Sequence, residues 1–295
     1  GHRRRRDPRM IGALLMLAVS AGAAHVHTDE KPINCGSCPT WNGKHAPFKL
    51  HGNSYYVGVD GLSAVLITTP KGHFLIDGGL PQSAQLIRQN IQSLGFDIRD
   101  VKWLLNSHAH FDHAGGLAAL QRMSGAPVAA SGETVASLKI GQALSDDPQY
   151  APDNTMAFPA VTSTRVIRDG ETLVLGNITI TAHDTPGHAP GGNSWSWKSC
   201  EAGRCVTLVY ADSLSAVSEP DYRYGDHPTY LKAFRHSIAK IRALDCDILV
   251  SAHPEFSNLF EREKTDSLID AMSCRKYADA AGERLDKRLK QERSH

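Results

Sequence analysis

His108-Ala109-His110-Phe111-Asp112-His113 is the stretch whose reading decides this chain. Three imidazoles and a carboxylate packed into so few residues are more ligand than one metal ion uses, so two metal ions are the natural reading. The apolar run Val101-Lys102-Trp103-Leu104-Leu105 before it reads as a buried strand, and Ala114-Gly115-Gly116-Leu117 after it opens a helical pattern. The ligands therefore sit on a strand-to-helix turn, at the carboxyl end of a strand, where α/β proteins place their sites. Neutral imidazoles and anionic oxygens together suit Zn²⁺.

Two further histidines sit in the same kind of place. His188 lies in the rigid turn Thr185-Pro186-Gly187-His188-Ala189-Pro190-Gly191-Gly192, directly after the strand 178–183, and His253 follows the strand 248–251 in Ala252-His253-Pro254. A lone histidine after a strand is more often solvated or satisfied in the core. Here the first cluster needs more ligands, and both candidates end strands. His51, His73, His183, His227 and His236 lack such turns and read as structural.

The rest of the chain reads as two similar halves. Strands are expected at 54–59, 63–68 and 73–76, then a helix over 83–94. Beyond the histidine turn come helices over 117–123 and 135–140. Strands follow over 164–167, 171–175, 178–183, 193–197 and 206–211, then a long helix over 230–244 and a strand over 248–251. Two strand-rich groups, each followed by helices, predict an α/β protein of two sheets packed face to face with helices outside. The polar, proline-bearing stretch 148–159 reads as a loop over the site's edge.

At 295 residues and 41% hydrophobic content the chain can bury a large core, and no second composition regime marks a linker. One catalytic domain over 25–295 is expected. A net charge of +1 favours neither nucleic acid nor an anionic membrane as partner, so the substrate is expected to be small. Arg3 to Arg6 and Arg9 precede an apolar run from Met10 to Ala24 that closes on Ala21-Gly22-Ala23. That is the pattern of a cleaved signal peptide over 1–24, and it implies export to the periplasm.

Export sets the reading of the six cysteines. Cys200 and Cys205 bracket a polar hairpin-like loop they could close, and Cys246 and Cys274 would staple a C-terminal helix onto a strand. Cys35-Gly36-Ser37-Cys38 has no second CxxC and no thioredoxin-like βαβ after it, so a local disulfide is the expected state.

The ordered motif set runs from about Tyr55 to His253. Asp77 in Leu75-Ile76-Asp77-Gly78-Gly79 comes first, then HxHxDH, Pro186-Gly187-His188, Tyr210-Ala211-Asp212-Ser213, and His253. This resembles the metallo-β-lactamase superfamily. Ser107 to Gly115 and Tyr210-Ala211-Asp212-Ser213-Leu214-Ser215 are similar to class B β-lactamases of the third subclass. The resemblance implies an αββα sandwich and two Zn²⁺ per chain, with His108, His110 and His188 on one ion and Asp112, His113 and His253 on the other. It further implies Ser213 and Ser215 as contacts to the substrate carboxylate or a zinc-bound water, although serines in such a turn also cap the backbone; Gln149, by its place in the loop Asp146-Asp147-Pro148-Gln149-Tyr150, is a candidate contact to substrate side groups.

The first subclass uses a cysteine ligand, but Cys205 is separated from the site end of its strand by a distance on the order of 20 Å, and Ser213 stands there instead. The second subclass resembles Asn-x-His where this chain has His108, so both metal positions are expected to be filled. The implied activity is hydrolysis of penicillins, cephalosporins and carbapenems by a zinc-bound hydroxide that Asp112 orients, conferring antibiotic resistance, in a monomer. The rival is another hydrolase of this fold, a lactonase or glyoxalase-like thioesterase, in which an aspartate at the Asp212 position bridges the metals. Sequence leaves Asp212 open as ligand or neighbour. Ser273-Cys274-Arg275-Lys276 fits the SxxK pattern of serine β-lactamases, but no SDN or KTG element follows it, and chance explains it.

Overall fold

The computed structural model describes residues 31–294. The expected signal peptide, 1–24, lies outside them. Seven strands form the first sheet in sequence order: β1 (Phe48–His51), β2 (Ser54–Tyr56), β3 (Val65–Thr69), β4 (Gly72–Ile76), β5 (Val101–Leu105), β6 (Val128–Ala130) and β7 (Thr164–Val166). Pairing is antiparallel from β1 to β4 and parallel from β4 to β7. The second sheet has the order β12-β11-β10-β9-β8, built from β8 (Thr172–Leu175), β9 (Ile178–Asp184), β10 (Asn193–Glu201), β11 (Arg204–Ala211) and β12 (Ile248–Ser251). It is antiparallel apart from the parallel pair β11 and β12.

Among the described residues eight α-helices accompany them: α1 (Cys38–Trp41), α2 (Ala84–Ser93), α3 (Phe111–Ala114), α4 (Leu117–Ser124), α5 (Gly132–Ile140), α6 (Pro228–Ala243), α7 (Leu259–Glu263) and α8 (Ser273–Arg293). Three apolar layers bind the elements into the αββα order. Phe74, Ile76, Trp195, Trp197, Tyr210 and Val250 fill the space between the sheets. On the outer face of the first sheet, Leu66, Leu75 and Leu104 meet Ile87, Ile91, Leu117 and Leu120 from α2 and α4. Beyond the second sheet, Val209 and Leu249 meet Phe234 and Ile241 of α6 and Tyr277, Ala278 and Leu285 of α8. Coverage on both faces explains why β4 is buried along its whole length and reads as a continuous run rather than an alternation. In α8 the buried positions 274, 277, 278, 281, 285 and 289 recur at helical spacing, giving one stripe toward the sheet.

The sulfur atoms lie at bonding distance in three pairs: Cys35 with Cys38, Cys200 with Cys205 and Cys246 with Cys274. Cys200 and Cys205 face each other across the β10–β11 hairpin, at the opposite end of β11 from Ala211 and the residues that follow it. Among the described residues no helix is long and apolar enough to cross a membrane.

Candidate metal centre

Each candidate ligand follows the carboxyl end of a strand, on a turn or, for Asp112 and His113, on the short helix α3, and these connections are held by identifiable contacts. The turn after β5 is pinned by Asp77, which accepts hydrogen bonds from Ser107 N (2.8 Å), Ser107 Oγ (2.6 Å), Asn106 Nδ2 (2.9 Å) and Tyr210 OH (2.8 Å). Asp77 itself has φ 63, a conformation rare outside glycine, which its four partners hold in place. The same turn must pass close to the end of β4: a Cβ on Gly116 would lie 2.1 Å from the Gly78 carbonyl oxygen, so only glycine fits there. Gly187, beside His188, has φ 151, and a Cβ there would strike the Phe234 ring at 2.2 Å.

The structure brings His108, His110, Asp112, His113, His188 and His253 together. The ligand atoms of His108, His110 and His188 lie within 4.8 Å of one another, as do those of His108, Asp112 and His113, so two groups adjoin. His253 joins the second group. Its Nε2 is 3.1 Å from His113 Nε2 and 3.2 Å from Asp112 Oδ2, and His113 Nε2 is 3.3 Å from that same oxygen. Ligands on one tetrahedral zinc, at roughly 2.0–2.1 Å, stand about 3.3 Å apart, so this triangle has the edge length a zinc requires. His108 Nε2 is fully buried without a partner, an orphan that a metal ion in the first group would satisfy. The donor set therefore fits metal binding at two adjoining groups of ligands.

The second ring nitrogen of four of these histidines is engaged by the protein, which fixes the ring and frees the other nitrogen for metal. His108 Nδ1 is 2.6 Å from Asp212 Oδ1. His110 Nε2 donates to Asp147 Oδ2 at 2.8 Å, His188 Nδ1 to the Ser215 carbonyl at 2.8 Å, and His253 Nδ1 to the Gly61 carbonyl at 3.0 Å. The Trp41 ring lies against His253, with centroids 5.1 Å apart.

Protonation follows from this packing. Burial holds His108 well below the usual histidine range, with neighbouring His110 adding to it, and burial with His110 lowers His188 to about 3. Both are neutral near pH 7, as ligands must be. Burial opposes charge on His113 as well, but Asp112, Asp77 and Asp212 outweigh it and raise that ring to about 9. Asp112 is driven the other way: burial works to raise it, and His113 and His253 hold it well below the usual carboxylate range. Asp212 is pushed well up, by burial and then by Asp77.

Asp147, Gly61 and the role of Asp212 behind His108 escape a reading of the sequence. For Asp147 the only signal was its place in the loop beside Gln149. Gln149 Nε2 lies 3.3 Å from His188 Nε2. Ser213 Oγ is buried with no partner. Ser215 Oγ is 3.1 Å from His188 Nδ1, so this residue touches His188 through both its carbonyl and its hydroxyl. Ser273 Oγ donates to the Asp270 carbonyl near the start of α8. His73 and His183 bond locally, to Thr69 and Ser196, and His227 stacks on Tyr222.

Residues 57–253 match the family model described as the Metallo-beta-lactamase superfamily. The chain belongs to that superfamily. Among solved metallo-β-lactamases, Rm3 is 50% identical with a TM-score of 0.85, over 88% of this chain and 99% of that one. MEM-A1, a subclass B3 enzyme from a soil metagenome library, is 48% identical with a TM-score of 0.83, over 86% of this chain and 99% of that one. The chain is also similar to a hydroxyacylglutathione hydrolase of Anaeromyxobacter dehalogenans, 29% identical over 57% of this chain and 52% of that protein. It spans about half or less of the length of the curated relatives it matches. The expected αββα fold and the third-subclass resemblance both hold.

Proposed function

We propose that this metallo-β-lactamase superfamily member hydrolyses the amide bond of β-lactams with two zinc ions. His108, His110 and His188 would hold one ion, and Asp112, His113 and His253 the other. Zinc supplies Lewis acidity, which polarises a carbonyl oxygen and brings a water proton's pKa from about 15.7 toward about 7. The protein's own groups do the rest. Asp112, kept ionised by the histidines around it, accepts a hydrogen bond from the attacking water and aims it at the carbonyl carbon. Ser213 donates from its unpartnered hydroxyl to the substrate carboxylate. Ser215 and Gln149, both against His188, supply further contacts, Gln149 to the substrate side group. Water adds to the carbonyl carbon, the C–N bond breaks, and the proton ends on the departing nitrogen.

The observation that carries this reading is the position of Asp212. Its Oδ1 is engaged by His108 Nδ1, on the side of the ring away from the orphaned Nε2, and neither of its oxygens belongs to the two adjoining ligand groups. That arrangement suits a residue that orients a ligand, and it disfavours the lactonase or thioesterase reading in which this aspartate bridges the metals. Likeness to β-lactamases over nearly their full length points the same way.

Carbapenems belong to the proposed substrate range. A periplasmic monomer, exported by a signal peptide and carrying oxidised Cys35–Cys38, Cys200–Cys205 and Cys246–Cys274 pairs, completes the proposal. The test is hydrolysis of a penicillin, a cephalosporin and a carbapenem beside a lactone and a glutathione thioester. Cleavage of the three β-lactams with the controls untouched is expected, and preference for either control would overturn the reading.

A further inference from the structure

One cation on α8 binds a surface strap and not a carboxylate alone. The segment 213–225 leaves β11, passes the site at Ser213 and Ser215, and returns toward α6. Arg288 reaches across it: Nη1 donates to the Ala216 carbonyl (3.1 Å), and Nη2 to Ser218 Oγ (2.7 Å) and the Tyr222 carbonyl (2.9 Å). Its guanidinium lies over the Tyr224 ring at 5.4 Å. Glu292, one turn on, accepts from Arg288 Nε (2.9 Å) and from the strap's Tyr224 N and Gly225 N (both 2.9 Å).

Ala216, the first residue Arg288 grips, directly follows Ser215, whose carbonyl accepts the hydrogen bond from His188 Nδ1. The strap also touches the other side of the site, because Glu219 N donates to the Pro148 carbonyl (2.8 Å), next to Asp147, which orients His110. The planar fork of an arginine spans several carbonyl acceptors at once, which a lysine ammonium does not reproduce.

We propose that Arg288 is a positioning residue for the three-histidine subsite, fixing the strap so that the Ser215 carbonyl selects the Nδ1–H tautomer of His188 and leaves the Nε2 lone pair, which faces Gln149 Nε2 at 3.3 Å, to take metal. This rests on the proposed zinc reading for its consequence in turnover, while the ring tautomer can be read without metal. Arg288 itself touches neither substrate nor ligand in this account.

The experiment compares wild type with Arg288→Ala, Arg288→Lys and Ser218→Ala. Ile241→Ala, a core truncation near the far end of α6, serves as a control for simple loss of stability. In metal-free protein, long-range ¹H–¹⁵N spectra of the histidine rings, with His188 assigned by a His188→Gln variant, should show one Nδ1–H tautomer in wild type and in Ile241→Ala. Arg288→Ala should show a tautomer mixture, with Ser218→Ala and Arg288→Lys between. Zinc loss to a competing chelator should quicken about tenfold in Arg288→Ala, in line with other orienting groups around metal ligands, and not in Ile241→Ala. If Arg288→Ala fails to fold, the tautomer mixture and the quicker zinc loss are read in Arg288→Lys and Ser218→Ala against Ile241→Ala. An unchanged His188 tautomer in the Arg288 variants, or equal zinc loss in Ile241→Ala and Arg288→Ala, would overturn the proposal. A wild type that binds no zinc or cleaves no β-lactam would instead overturn the underlying function.

Discussion

Replacing Asp212 by asparagine should weaken zinc retention without weakening the metal-free fold. Asp212 is fully buried and faces His108 Nδ1 at 2.6 Å. With metal on His108 Nε2, the Nδ1–H donates to an ionised carboxylate; in the variant it donates to a neutral amide oxygen. Hydrogen bonds to charged groups contribute roughly 1.5–3 kcal/mol and neutral ones about 0.5–1.5 kcal/mol. The difference of about 1–1.5 kcal/mol is roughly 5- to 13-fold in metal affinity, the lower part of the 10- to 100-fold range seen for such partners. Stability of the metal-free protein behaves oppositely. Burial, then Asp77, raises the folded-state pKa of Asp212 well above its unfolded value. An acid shifted upward costs stability once pH exceeds the unfolded value, so wild type gains stability from this group as pH falls from 7 toward 4. Asparagine removes that cost, and the metal-free variant should melt no lower than wild type at pH 7, with a flatter acid-side gain. Thermal melting of metal-free protein across pH, beside zinc competition with a chelator, measures both. A variant that melts well below wild type while holding zinc normally would refute the reasoning.

Asp112→Asn removes the charge that His113 and His253 surround, so it should lose or weaken one zinc equivalent, with kcat down by a factor on the order of 10² or more and KM moving less. Elemental analysis beside steady-state kinetics on a cephalosporin checks it, and near-normal kcat with a single zinc would contradict it. His113, raised to about 9 from an ordinary 6.5, contributes stability to the metal-free protein that is complete below pH 6.5 and lost as pH rises through about 9. Melting curves of wild type and His113→Gln over that window should therefore converge as pH rises. The proposed bridge between Cys246 and Cys274, separated by 28 residues, would close a loop whose release should cost about 3–4 kcal/mol on the chain-entropy account. A Cys246→Ser/Cys274→Ser variant should melt lower while mapping without reduction still finds Cys200 joined to Cys205.

Much of the fold was legible because its long elements carry strong periodicity. The helix expected over 230–244 is Pro228–Ala243, and the strand over 248–251 is reproduced without change. What went unread was short. Val128–Ala130 and Phe48–His51 are too brief to carry a pattern, and their pairing comes from neighbours far along the chain. The expected strand 193–197 runs on to Glu201, because the alternation continues through polar Lys198 and Ser199 that pair with β11. In the site, the ligands announced themselves through residue type and turn context. The groups behind them did not, since a backbone carbonyl such as that of Gly61 has no sequence signature, and Asp147 and Asp212 are chosen by distances that only folding sets.

The most direct measurement is a zinc titration of the metal-depleted protein with cephalosporin hydrolysis as readout. Turnover should be negligible without metal, recover on adding zinc, and saturate near two equivalents per chain, with Ser273→Ala behaving as wild type. Full hydrolysis after exhaustive chelation would contradict the two-zinc mechanism.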